Sequence, residues 1–561
     1  MKLANRRIRL LLFAFAFAFA AMFLRAAWLQ AVRAQDFDRL AQGQHQATVV
    51  DPGARGTIFD RGGVQLAIGR QATTVYANPR EIEDPQAVAL AVGKTLRLSP
   101  EKLYPKLADR SRGFVYVARK ADPKRAKLLE EQQIGGLGFV PEEQRVYPQG
   151  RVAAQVLGYA GTDNRGLAGL ELALDSTLRG RAGKETVVRD PSGRAIQVLS
   201  SKAAEPGSDV YLTLDHTLQA NAEAVLHATV QKWRAKAASA VVLDPRTGGI
   251  LAMAVERGYD ANRFPEASRD LQRNRAVTDT YEPGSTFKVV TVSAALSEGL
   301  VNPQSSFTLP YEIHVADRII HDAHSRGTEQ MTVDEIISRS SNVGTITLAQ
   351  LLGESRLSKW IERFGFGRKT GIDYPGETRG IVPKLEKWSG STIGTMPIGH
   401  GVAVTPVQMA AAYATVANNG VWLEPHLVER VGADHRPAVP ARRILTRGVA
   451  RQVMAMMRDV VVEGTGTAAA LPGYQVAGKT GTAAKPDPDG GYSTSRYVAS
   501  FVGVVPATNP RLVVLVTIDE PGSAIWGGVV AAPAFAEIAR FGLQYLEIPP
   551  DAPTGSDPLT R

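Results

Sequence analysis

The 561-residue sequence predicts an α/β (α+β) fold: a sheet flanked by helices, preceded by a β-rich accessory domain and one transmembrane helix. Three patterns carry this. Leu10 to Leu24 is apolar and uncharged. Residues 33–205 show strand-like alternation broken by Gly-rich turns. Residues 206–547 begin and end in strand-type runs around a helical middle.

The net charge of +10 is unevenly spread. Lys2, Arg6, Arg7, Arg9, Arg25 and Arg33 supply six of those charges with no acid among them, leaving +4 for the other 528 residues. That distribution argues against a nucleic-acid footprint and for a membrane-facing N-terminus. With no cysteine, there is no disulfide framework and no thiolate metal site.

Fifteen helical residues from Leu10 to Leu24 rise about 22 Å, short of a hydrocarbon core of about 30 Å. If Arg25 snorkels, the span extends through Trp28 and Leu29 to Val32, which gives an anchor over 10–32 behind a cytoplasmic tail of 1–9. Ala18-Phe19-Ala20 has the form of a signal-peptidase site, but apolar sequence continues past it and Trp28 sits where an interfacial anchor would. An uncleaved single-pass anchor is the reading adopted, with everything after Arg33 exported.

In the accessory region, Arg55 to Gly63 is a strand bounded by turn residues, and Gly166 to Glu171 opens a helix. Its Arg and Asp side chains are expected to be ion-pair partners at a domain junction. Further on, Val210–Leu214 and Ala240–Leu243 are expected strands, and Gly248-Gly249 turns a hairpin into Ile250–Val255. Helices are expected from Ser285 to about Asn419. Strands return at Tyr497–Val505 and Leu512–Ile518, a last helix at Ala532–Leu546, and a disordered tail over 548–561.

The chemistry centres on Ser285-Thr286-Phe287-Lys288. Pro283-Gly284 before it and the apolar run after it put Ser285 at a helix N-terminus, where residues i and i+3 share a face. A serine hydroxyl needs a neighbour to take its proton, and a desolvated lysine of lowered pKa does so. A buried lysine without a function would be costly. Ser-x-x-Lys alone is a weak signal, but Ser340-Ser341-Asn342 and Lys479-Thr480-Gly481 follow in order and complete a known three-part set. Ser340 follows a helix opened by a Thr332–Glu335 capping box.

Gly473 to Thr480 also matches the P-loop pattern, with Asp519-Glu520 after an apolar run as a would-be magnesium site. A P-loop must open into a helix, and Pro486, Pro488, Gly490 and Gly491 forbid one. Lys479 is therefore assigned to a strand, binding a carboxylate with Thr480 and Thr482 while Gly481 admits a backbone. His321 and His324 lack a third ligand, and His400, between two glycines, is assigned to a turn near the cleft.

Together these residues resemble the class B penicillin-binding proteins, monofunctional peptidoglycan D,D-transpeptidases. Arg55-Gly56 through Asp60-Arg61 with Leu66-Ala67 resembles the family's first N-terminal motif. Arg145, Tyr147-Pro148 and Gly169-Leu170-Glu171 resemble later ones. Glu282-Pro283-Gly284-Ser285-Thr286, the Asp519-Glu520-Pro521 ending and the lack of a large insertion are most similar to the division-type (septal) branch, penicillin-binding protein 3. Elongation-type relatives share all three catalytic motifs. Gly62 stands where the family often has Asn, and His400 where an aromatic is common.

The resemblance implies a penicillin-binding transpeptidase fold: an antiparallel sheet flanked by helices with a helical subdomain, on a pedestal or dimerisation-type domain. It implies that Ser285 attacks the D-Ala-D-Ala carbonyl of a stem peptide, with Lys288 as base. Ser340 relays a proton, Asn342 orients the substrate amide, and Ser285 and Thr482 N–H groups form the oxyanion hole. β-Lactams would acylate the same serine. No metal or organic cofactor is implied. Implied partners are peptidoglycan stem peptides, a multi-span membrane glycosyltransferase and other divisome proteins, at the bacterial inner membrane with the catalytic domain periplasmic. β-Lactamases, D,D-carboxypeptidases and β-lactam sensors share the motifs, and a non-catalytic divisome scaffold is the non-enzymatic alternative.

Overall fold

Five segments rich in Val, Ile, Leu and Ala build the central sheet: β1 (Ala237–Leu243), β2 (Ile250–Val255), β3 (Ala477–Pro486), β4 (Tyr492–Val505) and β5 (Leu512–Asp519). The computed structural model describes residues 2–31, 46–51, 53–189 and 195–552. The strand order is β2-β1-β5-β4-β3, antiparallel throughout, which makes β3 an edge strand. Ala238, Ala240 and Val242 of β1 and Val514, Val516 and Ile518 of β5 join a core with helices α1 (His216–Trp233) and α6 (Gly527–Tyr545). Val241, Leu243, Val513 and Leu515 point the other way, into a core shared with α2 (Lys288–Ser297), α3 (Asn342–Leu352), α4 (Pro406–Ala417) and α5 (Arg447–Val462). Coverage on both faces is why these strands are apolar without alternation.

The helical middle is interrupted. Ser306–Leu309 pairs with Glu329–Thr332, and Glu312–Val315 with Arg318–His321 across a two-residue turn. Ala316 occupies that turn at φ 52, a conformation that lacks the Gly or Asn by which such hairpins announce themselves. This hairpin delivers His321 and Asp322 to the Ser340–Asn342 loop.

The strand expected at Val210–Leu214 spans Val210–Leu212 and lies outside the central sheet. It pairs in parallel with Ile58–Phe59 and antiparallel with Val428–Val431, within a seven-stranded sheet that also contains Gln65–Ala77 and Leu137–Val146. Hydrophobic pattern shows that a segment is a strand; it does not show which sheet receives it.

The accessory region is more helical than its alternation predicts. Pro85–Leu96, Pro100–Ala108 and Pro123–Glu130 form helices around a small core that includes Val92, Leu107 and Leu129. Each starts with an Asp-Pro or Ser-Pro pair, which places a capping residue ahead of proline at the first helical position. Asp84 accepts from Gln86 N and Ala87 N, and Asp122 from Arg125 N.

Arg55, Arg145 and Glu171 meet as a buried ion network. Glu171 Oε2 accepts from Arg55 Nε at 2.7 Å and Oε1 from Arg145 Nε at 2.6 Å, while Asp175 takes Arg55 Nη1 at 2.7 Å. The expected ion-pair role of this motif is what the structure shows.

The chain divides into two compact units, Arg55–Leu178 with Ser208–Arg561, and Met1–Ala54 with Arg179–Gly207. The second holds an antiparallel sheet of Gln46–Asp51, Gly183–Arg189 and Ala195–Lys202. It also holds helix Lys2–Ala31, whose most apolar 18-residue window, within Asn5–Ala31, has mean hydropathy 2.2. The 27 residues of Asn5–Ala31 rise about 40 Å, long and apolar enough to cross a membrane. The far end of the expected span, Val32, lies outside the described residues. At the C-terminus the expected tail from 548 is held at first: Ile548 is buried, and Asp551 accepts from Gln475 N and Thr508 Oγ1. Residues 553–561 lie outside the described residues.

Candidate active site

Ser285 lies in a single 3-10 turn, Gly284–Phe287, that runs directly into α2. Thr286 Oγ1 donates to Pro283 O at 2.8 Å, and buried Tyr413 donates to Thr286 O at 2.9 Å, so the turn is fixed from both sides. It also touches β3. A Cβ on Gly481 would stand 2.3 Å from Ser500 Oγ and 2.9 Å from Pro283 O, closer than any side chain allows. Gly481 is therefore required for the contact between strand and serine turn. Among the described residues no hydrogen bond engages Ser285 Oγ.

Lys288, at the first α-helical position, is fully buried. Its Nζ donates to Ser340 O at 2.6 Å, Asn342 Oδ1 at 2.7 Å and Ser340 Oγ at 3.3 Å. Burial pushes the amine down to about 7, against a smaller upward pull from the Asp322 carboxylate.

The Ser340–Asn342 loop follows helix Val333–Ser338, whose Thr332–Glu335 capping box forms as expected. Ser340 sits at φ 60, which turns its carbonyl and hydroxyl toward Lys288. Ser341 caps α3, and Asn342 Nδ2 donates to His321 O at 2.9 Å. Beneath the loop, buried Asp322 accepts from Asn342 N, Val343 N and Ser341 Oγ and pairs with Arg326 Nη2 at 2.6 Å.

Lys479 and Thr480 stand in the middle of β3, paired with Val502 and Phe501, with no helix following. That excludes the P-loop geometry. Lys479 is fully buried; burial and the nearby Lys288 charge hold its amine well below the ordinary lysine range. Thr480 Oγ1 lies 2.7 Å from Thr465 Oγ1 in the turn after α5, and Thr482 Oγ1 accepts from Gly527 N at 3.0 Å. Accepting that bond leaves the Thr482 proton free to donate.

His400 Nδ1 lies 2.9 Å from Glu282 Oε2, and Gly401 N donates to Glu282 Oε1 at 2.9 Å, a brace on the segment entering the serine turn. Asp60, Asp215 and His216 are the one cluster of metal-ligating type among the described residues. Protein groups occupy them: Asp60 takes Gly62 N, Val64 N and His216 Nδ1, and Asp215 caps α1. A cavity of about 440 Å³ touches Glu282 and Ala483 but is lined by none of Ser285, Lys288, Ser340, Asn342 or Lys479. The hydrogen-bond geometry, not cavity size, identifies the site.

The structure thus gathers the three motifs around Lys288 and β3. Sequence reasoning missed Asp322, Arg326 and Thr465. In the sequence Gly464-Thr465-Gly466 reads only as a turn, and nothing there marks Asp322 as the carboxylate under the loop.

Comparison with known proteins agrees with this geometry. The penicillin binding protein transpeptidase domain family matches residues 238–540, and the penicillin-binding protein dimerisation domain family residues 50–212. The peptidoglycan D,D-transpeptidase FtsI of Escherichia coli K12 is 34% identical over 542 residues, covering 95% of this chain and 90% of the relative. The probable peptidoglycan D,D-transpeptidase PenA of Neisseria meningitidis is 35% identical over 558 residues, covering 98% and 94%. The crystal structure of penicillin-binding protein 3 from Mycobacterium tuberculosis with aztreonam superposes with a TM-score of 0.72 at 31% identity, covering 90% of this chain and 99% of that one. The chain belongs to the class B penicillin-binding proteins, as a peptidoglycan D,D-transpeptidase of the FtsI type.

Proposed function

We propose that Ser285 is the acyl-accepting nucleophile and Lys288 its base. The observation that carries this is the Lys288 amine: buried, pushed down to about 7, and gripped by two oxygens one turn from an unengaged serine. A neutral amine has two N–H bonds. The Ser340 carbonyl and Asn342 Oδ1 take both at 2.6 and 2.7 Å, and the lone pair, with the Ser340 hydroxyl 3.3 Å away, accepts a hydroxyl proton.

The stem peptide pairs along the open edge of β3, with its terminal carboxylate at Lys479, Thr480 and Thr482. Ser285 Oγ attacks the penultimate D-alanine carbonyl as its proton passes to Lys288. Backbone N–H groups of Ser285 and Thr482 stabilise the oxyanion. The C–N bond then breaks, the proton returns through Ser340 to the leaving amine, and D-alanine departs. An amine of a neighbouring stem peptide attacks the ester and releases Ser285 as the cross-link forms. β-Lactams enter the first half of the same sequence. Asn342 orients the substrate amide through its Nδ2.

The FtsI and penicillin-binding protein 3 names of the relatives fit the division-type reading, and the family resemblance implies work beside a multi-span glycosyltransferase and other divisome proteins. The basic flank before the apolar helix supports a cytoplasmic N-terminus and a periplasmic catalytic domain. Protease added outside spheroplasts should degrade the catalytic domain and spare a short N-terminal tag; the reverse overturns this topology. For the chemistry, a pentapeptide-bearing glycan strand should yield free D-alanine and cross-linked dimer with the wild type and neither with Ser285→Ala. Equal D-alanine release by that variant overturns the assignment.

A further inference from the structure

Asn342 is held at its backbone as well as at its side chain. One dipeptide does most of this: the His321 carbonyl takes Asn342 Nδ2 at 2.9 Å, and the Asp322 carboxylate takes the backbone N–H groups of Asn342 and Val343. Ser341 Oγ adds a third donor to Asp322, at 3.0 Å. Asp322 thereby does for the N-terminus of α3 what a capping anion does, from a different element of the fold. The Nδ2 bond to His321 decides which way the Asn342 amide faces, and so presents Oδ1 to Lys288.

We propose that Asp322 is a positioning residue for acylation, holding the Ser340–Asn342 loop against Lys288 and placing a negative charge near this amine. The proposal rests on the roles given to Ser285 and Lys288 above. Arg326 completes the device: it grips Asp322 at 2.6 and 3.0 Å and anchors itself on the carbonyls of Leu309 and Pro310. A buried carboxylate beside a buried amine would otherwise drive the amine to its ammonium form; Arg326 restrains that pull. The charged groups around Lys288 are therefore Asp322 from the hairpin end, Arg326 behind it, and Lys479 from β3.

The signs follow. Removing the Asp322 charge makes Lys288 easier to deprotonate, and removing the Arg326 charge makes it harder. The test is the second-order rate of Ser285 acylation by benzylpenicillin from about pH 5 to 9, with thermal midpoints, for the wild type, Asp322→Asn, Asp322→Glu and Arg326→Gln. We expect Asp322→Asn to lose at least tenfold in rate with its acidic limb moved to lower pH. Arg326→Gln should move the limb to higher pH, and Asp322→Glu should restore its position. Should Asp322→Asn fail to fold, the upward limb shift of Arg326→Gln still decides. A wild-type rate in Asp322→Asn overturns the proposal. So does a loss in Asp322→Asn and Arg326→Gln that follows their thermal midpoints with unmoved limbs. A wild type that is not acylated at all would overturn the underlying roles of Ser285 and Lys288 instead.

Discussion

Lys288 Nζ stands 2.7 Å from Asn342 Oδ1 and 2.6 Å from Ser340 O, across a separation of more than fifty residues in sequence. This contact joins two of the three short motifs, since it binds the serine's own helix to the loop before α3, and Lys479 of the third lies close enough to feel the same amine. Four expected outcomes follow from the site and its supports.

Acylation by benzylpenicillin should rise with pH and level off above about 7. Below the lowered pKa of Lys288 the amine holds its proton and cannot accept another; above it the amine is neutral. Lys288→Met should remove the limb and reduce the rate by about 10²–10⁴-fold, the usual worth of a general base. His400→Gln should leave the limb in place, because His400 braces Glu282 rather than the serine. Rates from intact mass across pH check all three.

Gly481→Ala should impair acylation at least tenfold. The added methyl meets Ser500 Oγ and Pro283 O, so either β3 or the serine turn must move. Overpacking of this kind costs about 1–3 kcal/mol, visible as a lowered thermal midpoint.

Thr465→Val should weaken recognition of the substrate carboxylate without touching the base. Loss of its 2.7 Å contact releases Thr480, worth about 1 kcal/mol and hence a several-fold lower acylation efficiency. The pH limb and the lifetime of the adduct should stay as in the wild type.

Glu171→Gln should destabilise the fold far from the chemistry. It leaves the Arg55 and Arg145 guanidinium groups without their shared buried carboxylate, a loss of about 3–5 kcal/mol. Thermal unfolding should show the fall, while Ser285 is still acylated at low temperature.

The candidate catalytic residues were legible because chemistry demands residue types at fixed spacing: Ser285 and Lys288 on one helical turn, Lys479 to Thr482 along one strand. The central sheet was legible because burial on both faces makes β1, β5 and the second half of β4 mostly apolar. What stayed hidden depended on tertiary partners. Val210 carries the same strand signal whichever sheet receives it. The Ala316 turn has no Gly or Asn to mark its hairpin, so Asp322 looked like one more polar residue between two helices. The helices after Asp84, Ser99 and Asp122 did carry a local signal in their Asp-Pro and Ser-Pro starts, and the strand-like alternation around them masked it.

The most direct test of the central claim is the intact mass of the full chain after benzylpenicillin, for wild type and Ser285→Ala, followed over hours. A stable adduct that maps to Ser285 and is absent from the variant is the predicted result. An adduct that persists in Ser285→Ala, or one lost rapidly as the antibiotic is hydrolysed, would contradict the account.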